Sequence, residues 1–476
     1  MKVLFAAAEA HPFVKTGGLA DVIGALPKAL KGVGVDVRVI LPKYRGIPEK
    51  FVSQMEHVAA LSVPVGWRNQ YCGIETIIYD GIPVYFIDNE YYFGRDGIYG
   101  YMDDGERFSF FNRAVLECLE TLDFQPDVLH CHDWHAAVIP MLLQAQYRHN
   151  PFYAEIRTVF TIHNLLYQGV FPYSVLGELL GLDDSYFLGV EYYGNVNFMK
   201  AGIVYSDHIT TVSPTYSEEI RTAYYGYGLD GLLSSRADSL SGIVNGIDTK
   251  IYNPASDPQI YTRYRTNLAK KAENKIALQQ ELGLPVAPYI PLVAMVTRLV
   301  DSKGLDLLTR VLDELLYYDD IQFVLLGTGD EAYERWFREA GWRYPTKLSS
   351  QILFSDALSR KIYAASDLFL MPSKFEPCGI GQLLALRYGS IPVVRETGGL
   401  NDTVHSYNEE TGEGNGFTFK DYNAHDMMYT LRRAVSFYHK PEHWKKVTKN
   451  AFAGDYSWNV SAQQYMDIYN RILEQS

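Results

Sequence analysis

Lys15-Thr16-Gly17-Gly18-Leu19-Ala20-Asp21-Val22 stands between two patterns of different period. Before it, Val3-Leu4-Phe5-Ala6-Ala7-Ala8 is an unbroken apolar run of the kind a buried strand carries. After it, Ile23, Leu26 and Leu30 recur at helical spacing. Paired glycines where a strand gives way to a helix let the backbone come close to a ligand. The helix start offers N–H groups without intrahelical partners and the positive end of a dipole. Lys15 adds a full positive charge beside the turn. The stretch predicts a strand–turn–helix unit suited to a phosphate or pyrophosphate, and a plain Gly-Gly turn is the alternative.

Working outward, apolar and β-branched runs alternate with helical patterns along nearly the whole chain. They fall at 35–41, 74–79, 84–87, 128–130, 158–162 and 208–212, then at 292–296, 323–326, 368–371 and 391–394. Such alternation predicts parallel sheets flanked by helices. The pattern restarts after Asn245-Gly246-Ile247-Asp248 and Asn253-Pro254, where charged helical sequence (270–281) intervenes, so two open sheets are expected. Thr397-Gly398-Gly399-Leu400-Asn401-Asp402 echoes Thr16-Gly17-Gly18-Leu19-Ala20-Asp21, as a duplicated unit would. Doubly wound domains bind ligands beyond the carboxyl ends of their strands, and every motif below sits at such an end.

The 476 residues are 47% hydrophobic and 21% charged, which describes a globular chain of two or three domains. A net charge of -13 argues against nucleic acid as a partner, since that would want a basic surface. Thirty-seven tyrosines and 23 phenylalanines suit a sugar binder, although tyrosine also fills cores. Cys72, Cys118, Cys131 and Cys378 show no C-x-x-C spacing, so neither a disulfide framework nor a zinc knuckle is expected. No apolar run is long enough for a membrane span. The first apolar run superficially resembles a signal peptide, but the glycine turn behind it makes better sense of a structural strand. A cytoplasmic location is expected.

His130-Cys131-His132-Asp133-Trp134-His135 closes one run. Histidine is a common metal ligand, but the hydrolase signature H-x-H-x-D-H needs its aspartate next to the last histidine, and Asp133 directly follows His132. His163-Asn164 sits at an equivalent strand end, where a lone histidine serves structure as readily as function. Arg298 and Lys303 flank Leu299-Val300-Asp301-Ser302 and could clamp a diphosphate, one as a planar fork and one as a point charge; a solvated loop is the alternative. Gly327-Thr328-Gly329-Asp330 reads as a plain turn. In Phe375-Glu376-Pro377-Cys378-Gly379-Ile380-Gly381-Gln382 a carboxylate stands beside a glycine-rich helix start. It could accept sugar hydroxyls while nearby N–H groups hold phosphate, or be an exposed glutamate on a turn.

Together these residues resemble the bacterial glycogen synthases and plant starch synthases, which elongate α-1,4-glucan from ADP-glucose. The resemblance covers essentially the entire chain. It is carried by residues 15–20, 130–135, Phe160-Thr161-Ile162-His163-Asn164-Leu165, Val212-Ser213-Pro214-Thr215-Tyr216, Asn245-Gly246-Ile247-Asp248, 298–304 and Glu376-Pro377-Cys378-Gly379. It implies an α/β chain of two Rossmann-like, doubly wound domains facing across a deep cleft, the GT-B fold. The expected division is 1–241, on the acceptor side, then 242–455, binding ADP-glucose. Residues 456–476 are expected as a helix returning to the first domain, with Ala462, Tyr465, Met466, Ile468, Tyr469 and Ile472 on its apolar pattern.

The resemblance also implies roles. Lys15, the Gly17-Gly18 backbone, Arg298 and Lys303 would hold the pyrophosphate. Glu376 would bind hydroxyls of the transferred glucose, positioned through Cys378 and Gly379. His163 would lie near the anomeric carbon, and Asp133 and Asn245 would line the sugar site. Neither metal nor cofactor is implied, since no D-x-D occurs; transfer would retain configuration, with ADP helping to deprotonate the acceptor. Three positions depart from the family. Phe354 replaces a tyrosine that stacks on adenine, Gly381 replaces a threonine, and Glu396 replaces a basic residue. The competing readings are a UDP-glucose enzyme, one with a small sugar acceptor, a metal-dependent hydrolase, a non-catalytic glucan binder and an NAD-linked oxidoreductase. The last lacks its G-x-G-x-x-G after the first strand. Oligomeric state, acceptor length and allosteric control leave no signature in the sequence.

Overall fold

A computed structural model describes residues 1–475. The chain divides into two compact units, residues 1–245 with 458–476, and 246–457. The cut expected at 241/242 is corrected, because it would split a strand of the first sheet, Leu240–Gly242. The last helix starts at Trp458 rather than 456.

The strands of the first unit are β1 (Lys2–Ala6), β2 (Asp36–Pro42), β3 (Glu56–Val65), β4 (Arg68–Tyr79), β5 (Ile82–Asp88), β6 (Val128–His132), β7 (Arg157–Ile162), β8 (Val170–Phe171), β9 (Glu191–Tyr192), β10 (Asn195–Asn197), β11 (His208–Thr211) and β12 (Leu240–Gly242). Nine form one sheet in the order β12-β11-β7-β6-β1-β2-β5-β4-β3, and β8-β10-β9 form a small one. From β12 across to β5 all neighbours run parallel. β4 is antiparallel to both β5 and β3, which corrects the expectation of a wholly parallel sheet. The cause is local. Asp80-Gly81 joins β4 to β5 with φ of 50° and 77°, the two-residue turn that reverses a strand on itself. Asp-Gly between apolar runs was a legible signal for it.

Helix Gly18–Gly32 follows β1 and buries Leu19, Ala20, Val22, Ile23, Leu26 and Leu30. Against it packs the last helix, Trp458–Glu474, burying Ala462, Tyr465, Ile468, Tyr469 and Ile472. The end of the chain thereby rejoins the first sheet: Tyr469 Oη lies 2.6 Å from His130 Nδ1 on β6.

In the second unit β13 (Leu292–Val296), β14 (Gln322–Leu326), β15 (Leu348–Gln351), β16 (Leu368–Met371), β17 (Ile391–Arg395) and β18 (Phe417–Phe419) form an all-parallel sheet, β15-β14-β13-β16-β17-β18. Val293, Met295, Phe323 and Leu325 enter the core on one face, while Leu292, Ala294, Val324 and Leu326 enter that on the other. Burial on both faces makes these strands continuous apolar runs.

Counted within the unit, the spatial order is third, second, first, fourth, fifth, sixth, so connections run outward in opposite directions from β13 and β16. Such an order leaves a crevice at the reversal, beyond the strands' carboxyl ends. The first sheet has the same reversal between β1 and β6. No helix among the described residues is long and apolar enough to cross a membrane.

The crevice in the second sheet needs one glycine. Gly304 has φ +75°, and a Cβ there would lie 2.0 Å from the Pro372 carbonyl oxygen, bringing the loops after β13 and β16 together. Gly304→Ala must meet both the left-handed backbone, at about 1–2 kcal/mol, and that clash. We expect its thermal midpoint to fall by several degrees, on the scale of roughly 2–4 °C per kcal/mol for a unit of this size. An unchanged midpoint in calorimetry would mean the two loops separate freely.

Candidate active site

The loops at the reversal in the second sheet carry the cations named from sequence. Lys303 ends a short 3-10 turn, Asp301–Lys303, and its Nζ lies 2.7 Å from Glu376 Oε2. Ser373 Oγ donates to the same oxygen at 3.0 Å. Oε1 of Glu376 makes no hydrogen bond among the described residues, although the residue is only 7% exposed. Lys374 N donates to Ser302 O at 2.9 Å and ties the loops through their backbones. Arg298 is exposed, and its side chain has no ion pair among the described residues. An enclosed carboxylate with an unused oxygen, paired with one cation on a loop that carries a second, is fitted to a ligand carrying both hydroxyl and phosphate groups.

The glycine pair at 398–399 buttresses this carboxylate loop. Gly398 has φ +46°, and a Cβ on it would lie 1.9 Å from Glu376 O; one on Gly399 would lie 2.0 Å from Cys378 O. Gly399 N donates to the carbonyls of Glu376 and Pro377, each at 3.1 Å. The echo of the opening motif thus supports another loop here. Glu396 is occupied by Thr418, whose Oγ1 donates at 2.8 Å. Cys378 is buried, and Gly379 has φ +77° with Gln382 Nε2 donating to its carbonyl at 3.0 Å. Gly381 opens the helix Gly381–Tyr388. Phe354, in the connection after β15, is 89% exposed, so its ring is open to stacking. The turn at 327–330 packs against the Arg298 loop, with Leu299 N donating to Thr328 O at 2.9 Å.

In the first unit the loop after β1 holds Lys15 and the glycines. Both already have partners within this unit. Lys15 is already paired: its Nζ lies 2.6 Å from Asp21 Oδ1 on the surface, where such a pair is weak and exchangeable. The amide of Gly17 is also engaged. Glu9, 3% exposed, accepts from Thr16 N and, at 3.3 Å, from Gly17 N. Helix Gly18–Gly32 has no side-chain cap, so the amides of its first turn, beginning at Gly18, are the ones left to an anion.

The loop after β6 begins at Asp133, with φ 56° and ψ -179°, a region nearly reserved for glycine. The surroundings over-determine it. Its Oδ1 accepts from His163 N at 2.8 Å, and its own N–H donates to Thr161 O at 3.0 Å. Burial pushes its carboxyl up to about 7, against the lowering effect of the His163 and Asn164 amides; the charge of Glu9 adds to the rise.

The histidines expected as a cluster divide into two arrangements. His130 is spent on structure, with Nδ1 at Tyr469 Oη and Nε2 at Thr161 Oγ1, both 2.6 Å. His132 Nδ1 meets His163 Nε2 at 2.9 Å. Burial lowers the pKa of His163 to about 3 and holds that of His132 well below its ordinary value, so both are neutral at pH 7. Asn245 is buried with an Oδ1 that has no partner among the described residues, a poised acceptor. The four cysteines are buried and unbridged, Cys72 and Cys118 having sulfurs 4.0 Å apart.

Sequence reading missed Glu9, the sole acid in an otherwise apolar run before the glycine loop, and Tyr99, whose hydroxyl reaches it at 2.9 Å. It also missed the Lys303–Glu376 pairing, which spans 73 positions.

Residues 2–235 match the family described as starch synthase catalytic domain, and 285–451 match glycosyl transferases group 1. A glycogen synthase of Geobacillus thermodenitrificans (strain NG80-2) is 57% identical over 100% of this chain and 98% of its own. That of Desulforamulus reducens is 57% identical over 99% of each. Among solved structures, the catalytic domain of starch synthase IV from Arabidopsis thaliana, bound to ADP and acarbose, superposes with a TM-score of 0.91. It is 37% identical, over 99% of each chain. Sucrose-phosphate synthase from Thermosynechococcus elongatus, 16% identical at a TM-score of 0.64 and covering 100% of each chain, shares the fold.

The raised carboxyl of Asp133 is testable through stability. A carboxyl with a folded pKa near 7 and an unfolded one near 3.8 keeps its proton only in the folded state. Its folded state therefore loses stability as pH rises from about 4 to about 7, by at most about 1.4 kcal/mol per pH unit, then levels off. Asp133→Asn cannot ionise. Its thermal midpoint should gain on that of the parent between pH 5 and pH 8; a gap independent of pH would show that Asp133 ionises normally.

Proposed function

The chain belongs to the glycogen and starch synthase family of glucosyltransferases, and on that premise we propose that it adds glucose from ADP-glucose to the non-reducing end of an α-1,4-glucan. The observation that carries this reading is the pairing of Lys303 with the enclosed Glu376 where the second sheet reverses its order, Arg298 being on the same loop as Lys303. Donor and leaving group need both kinds of charge: a carboxylate for sugar hydroxyls and cations for a diphosphate.

Breaking the anomeric C–O bond builds positive charge on the sugar and negative charge on the departing ADP. Arg298 and Lys303 stabilise the growing negative charge, and fixed groups aimed where charge develops accelerate the step itself. Glu376 accepts hydroxyls of the glucose through Oε1, with Cys378 and Gly379 holding its loop in place. Phe354 stacks on adenine by one face, without the hydroxyl a tyrosine would add. In the first unit, Lys15 exchanges Asp21 for phosphate, and the first-turn amides at Gly18 add to its charge. His163 stands near the anomeric carbon as a neutral ring, with Asp133 and Asn245 along the sugar.

A retaining glycosidase would place a carboxylate nucleophile close to its acid; no such role is assigned here. Departure and attack take place on the same face, with ADP drawing the proton from the acceptor hydroxyl, and the α configuration is kept. The protein works in the cytoplasm, where its four cysteines stay reduced. ADP release from ADP-glucose, with and without glycogen and against UDP-glucose, tests the donor and acceptor together. Turnover that prefers UDP-glucose, or that ignores the glucan, would contradict this reading.

Alanine at Arg298 or at Lys303 should lower kcat by about 10²–10³, the usual loss for one group acting on transition-state charge. Steady-state kinetics on variants with unaltered circular dichroism checks this, and near-normal kcat in both would remove them from the reaction.

A further inference from the structure

Glu9 lies in the loop after β1, three residues beyond the strand, and is 3% exposed. Its carboxylate is fully used. Oε2 accepts from Thr16 N and from Gly17 N at 3.3 Å; Oε1 accepts from Thr16 Oγ1 at 2.8 Å and from Tyr99 Oη at 2.9 Å. Tyr99 in turn stacks on His135, with centroids 4.5 Å apart and planes 26° apart. His135 follows Asp133 and Trp134 in the loop after β6. One carboxylate therefore bridges the two loops that flank the reversal in the first sheet, by way of one phenol.

We propose that Glu9 is a positioning residue for glucosyl transfer: it locks the glycine loop to Tyr99, so that the first-turn amides beside Lys15 and the Asp133 loop keep one fixed spacing. This rests on the reading of the protein as a glucosyltransferase. Glu9 touches no substrate; it fills the anion seat made by the Thr16 and Gly17 amides and leaves the phosphates to the amides from Gly18 onward. Burial holds Tyr99 protonated, the Glu9 charge adding to the effect, so its hydroxyl stays a donor to the carboxylate.

Hydrogen-bond inventory supplies a discriminating variant. In Glu9→Gln the amide oxygen can take the Oε2 position and accept both backbone N–H groups. Its NH2 then faces two hydroxyls, which can turn and accept. The bridge survives without its charge. In Glu9→Ala it is lost.

The test uses the full-length protein with ADP-glucose and a maltooligosaccharide, measuring kcat and both KM values for Glu9→Ala, Glu9→Gln, Tyr99→Phe and the Glu9→Ala/Tyr99→Phe double variant, each checked by circular dichroism. Glu9→Ala should lose about 10²-fold in kcat, the scale of a misplaced reacting group. Glu9→Gln should recover most of it, with a KM for ADP-glucose no higher than the parent's. Tyr99→Phe should add little once Glu9 is gone, because the two act through one bridge. Multiplicative losses in the double variant, or Glu9→Gln as inactive as Glu9→Ala, would overturn the proposal. If Glu9→Ala unfolds, Tyr99→Phe and Glu9→Gln decide alone: a lowered kcat in the first and a preserved one in the second are required. An inactive parent enzyme would instead refute the glucosyltransferase reading.

Discussion

Lys303 and Glu376 meet at 2.7 Å with side chains 19% and 9% exposed, and the second unit is arranged around that contact. Two charges drawn this far from water stabilise little as a pair, but removing either partner strands the other at a cost of several kcal/mol. The surroundings show what is needed to keep both in place. Gly304 lets one loop reach the backbone of the next, Ser373 shares the carboxylate oxygen, and Gly398 and Gly399 let a third loop press against Glu376 and Cys378. Each is a local compromise of backbone or charge, and all converge where the order of the parallel strands reverses. Strain and enclosed charge gathered at one crevice mark where function is placed.

The first unit handles the same requirement differently. Its glycine loop is held by a carboxylate of its own, Glu9, and its cation by another, Asp21. Asp133 is forced into a glycine-like backbone and desolvated, while His132 and His163 share a hydrogen bond as neutral rings. The last helix is part of this arrangement, since Tyr469 holds His130 directly behind them on β6. Polar groups are therefore pre-oriented within each unit by hydrogen bonds to its own residues. Pre-orientation of this kind spares reorganisation when charge develops in a reaction.

Legibility followed burial. β1, β13, β14 and β16 are covered on both faces and read as unbroken apolar runs, so the doubly wound halves could be drawn from sequence. β3, Glu56–Val65, escaped because it is an edge strand with largely exposed residues. β15 is Leu-Ser-Ser-Gln and β18 is three residues long, too polar or too short for periodicity to register. Arg298, Lys303 and Glu376 were visible because charge stands out at a strand end. Their pairing was invisible, because residues 73 positions apart meet only through the fold. Glu9 was overlooked for a related reason: its significance lies in the amides it satisfies, and a hydrogen bond to backbone leaves no trace in side-chain pattern.

In the proposed reaction side-chain cations and helix-start amides, without a divalent ion, neutralise the departing diphosphate while configuration at the anomeric carbon is kept. Proton NMR of the reaction with ADP-glucose and a maltooligosaccharide, run in excess EDTA, examines both halves at once. The expected result is one new α-linked glucosyl unit at the non-reducing end for each ADP released, at a rate chelation does not alter. A β anomeric signal, free glucose in place of chain growth, or activity abolished by EDTA and restored by a divalent ion would contradict it.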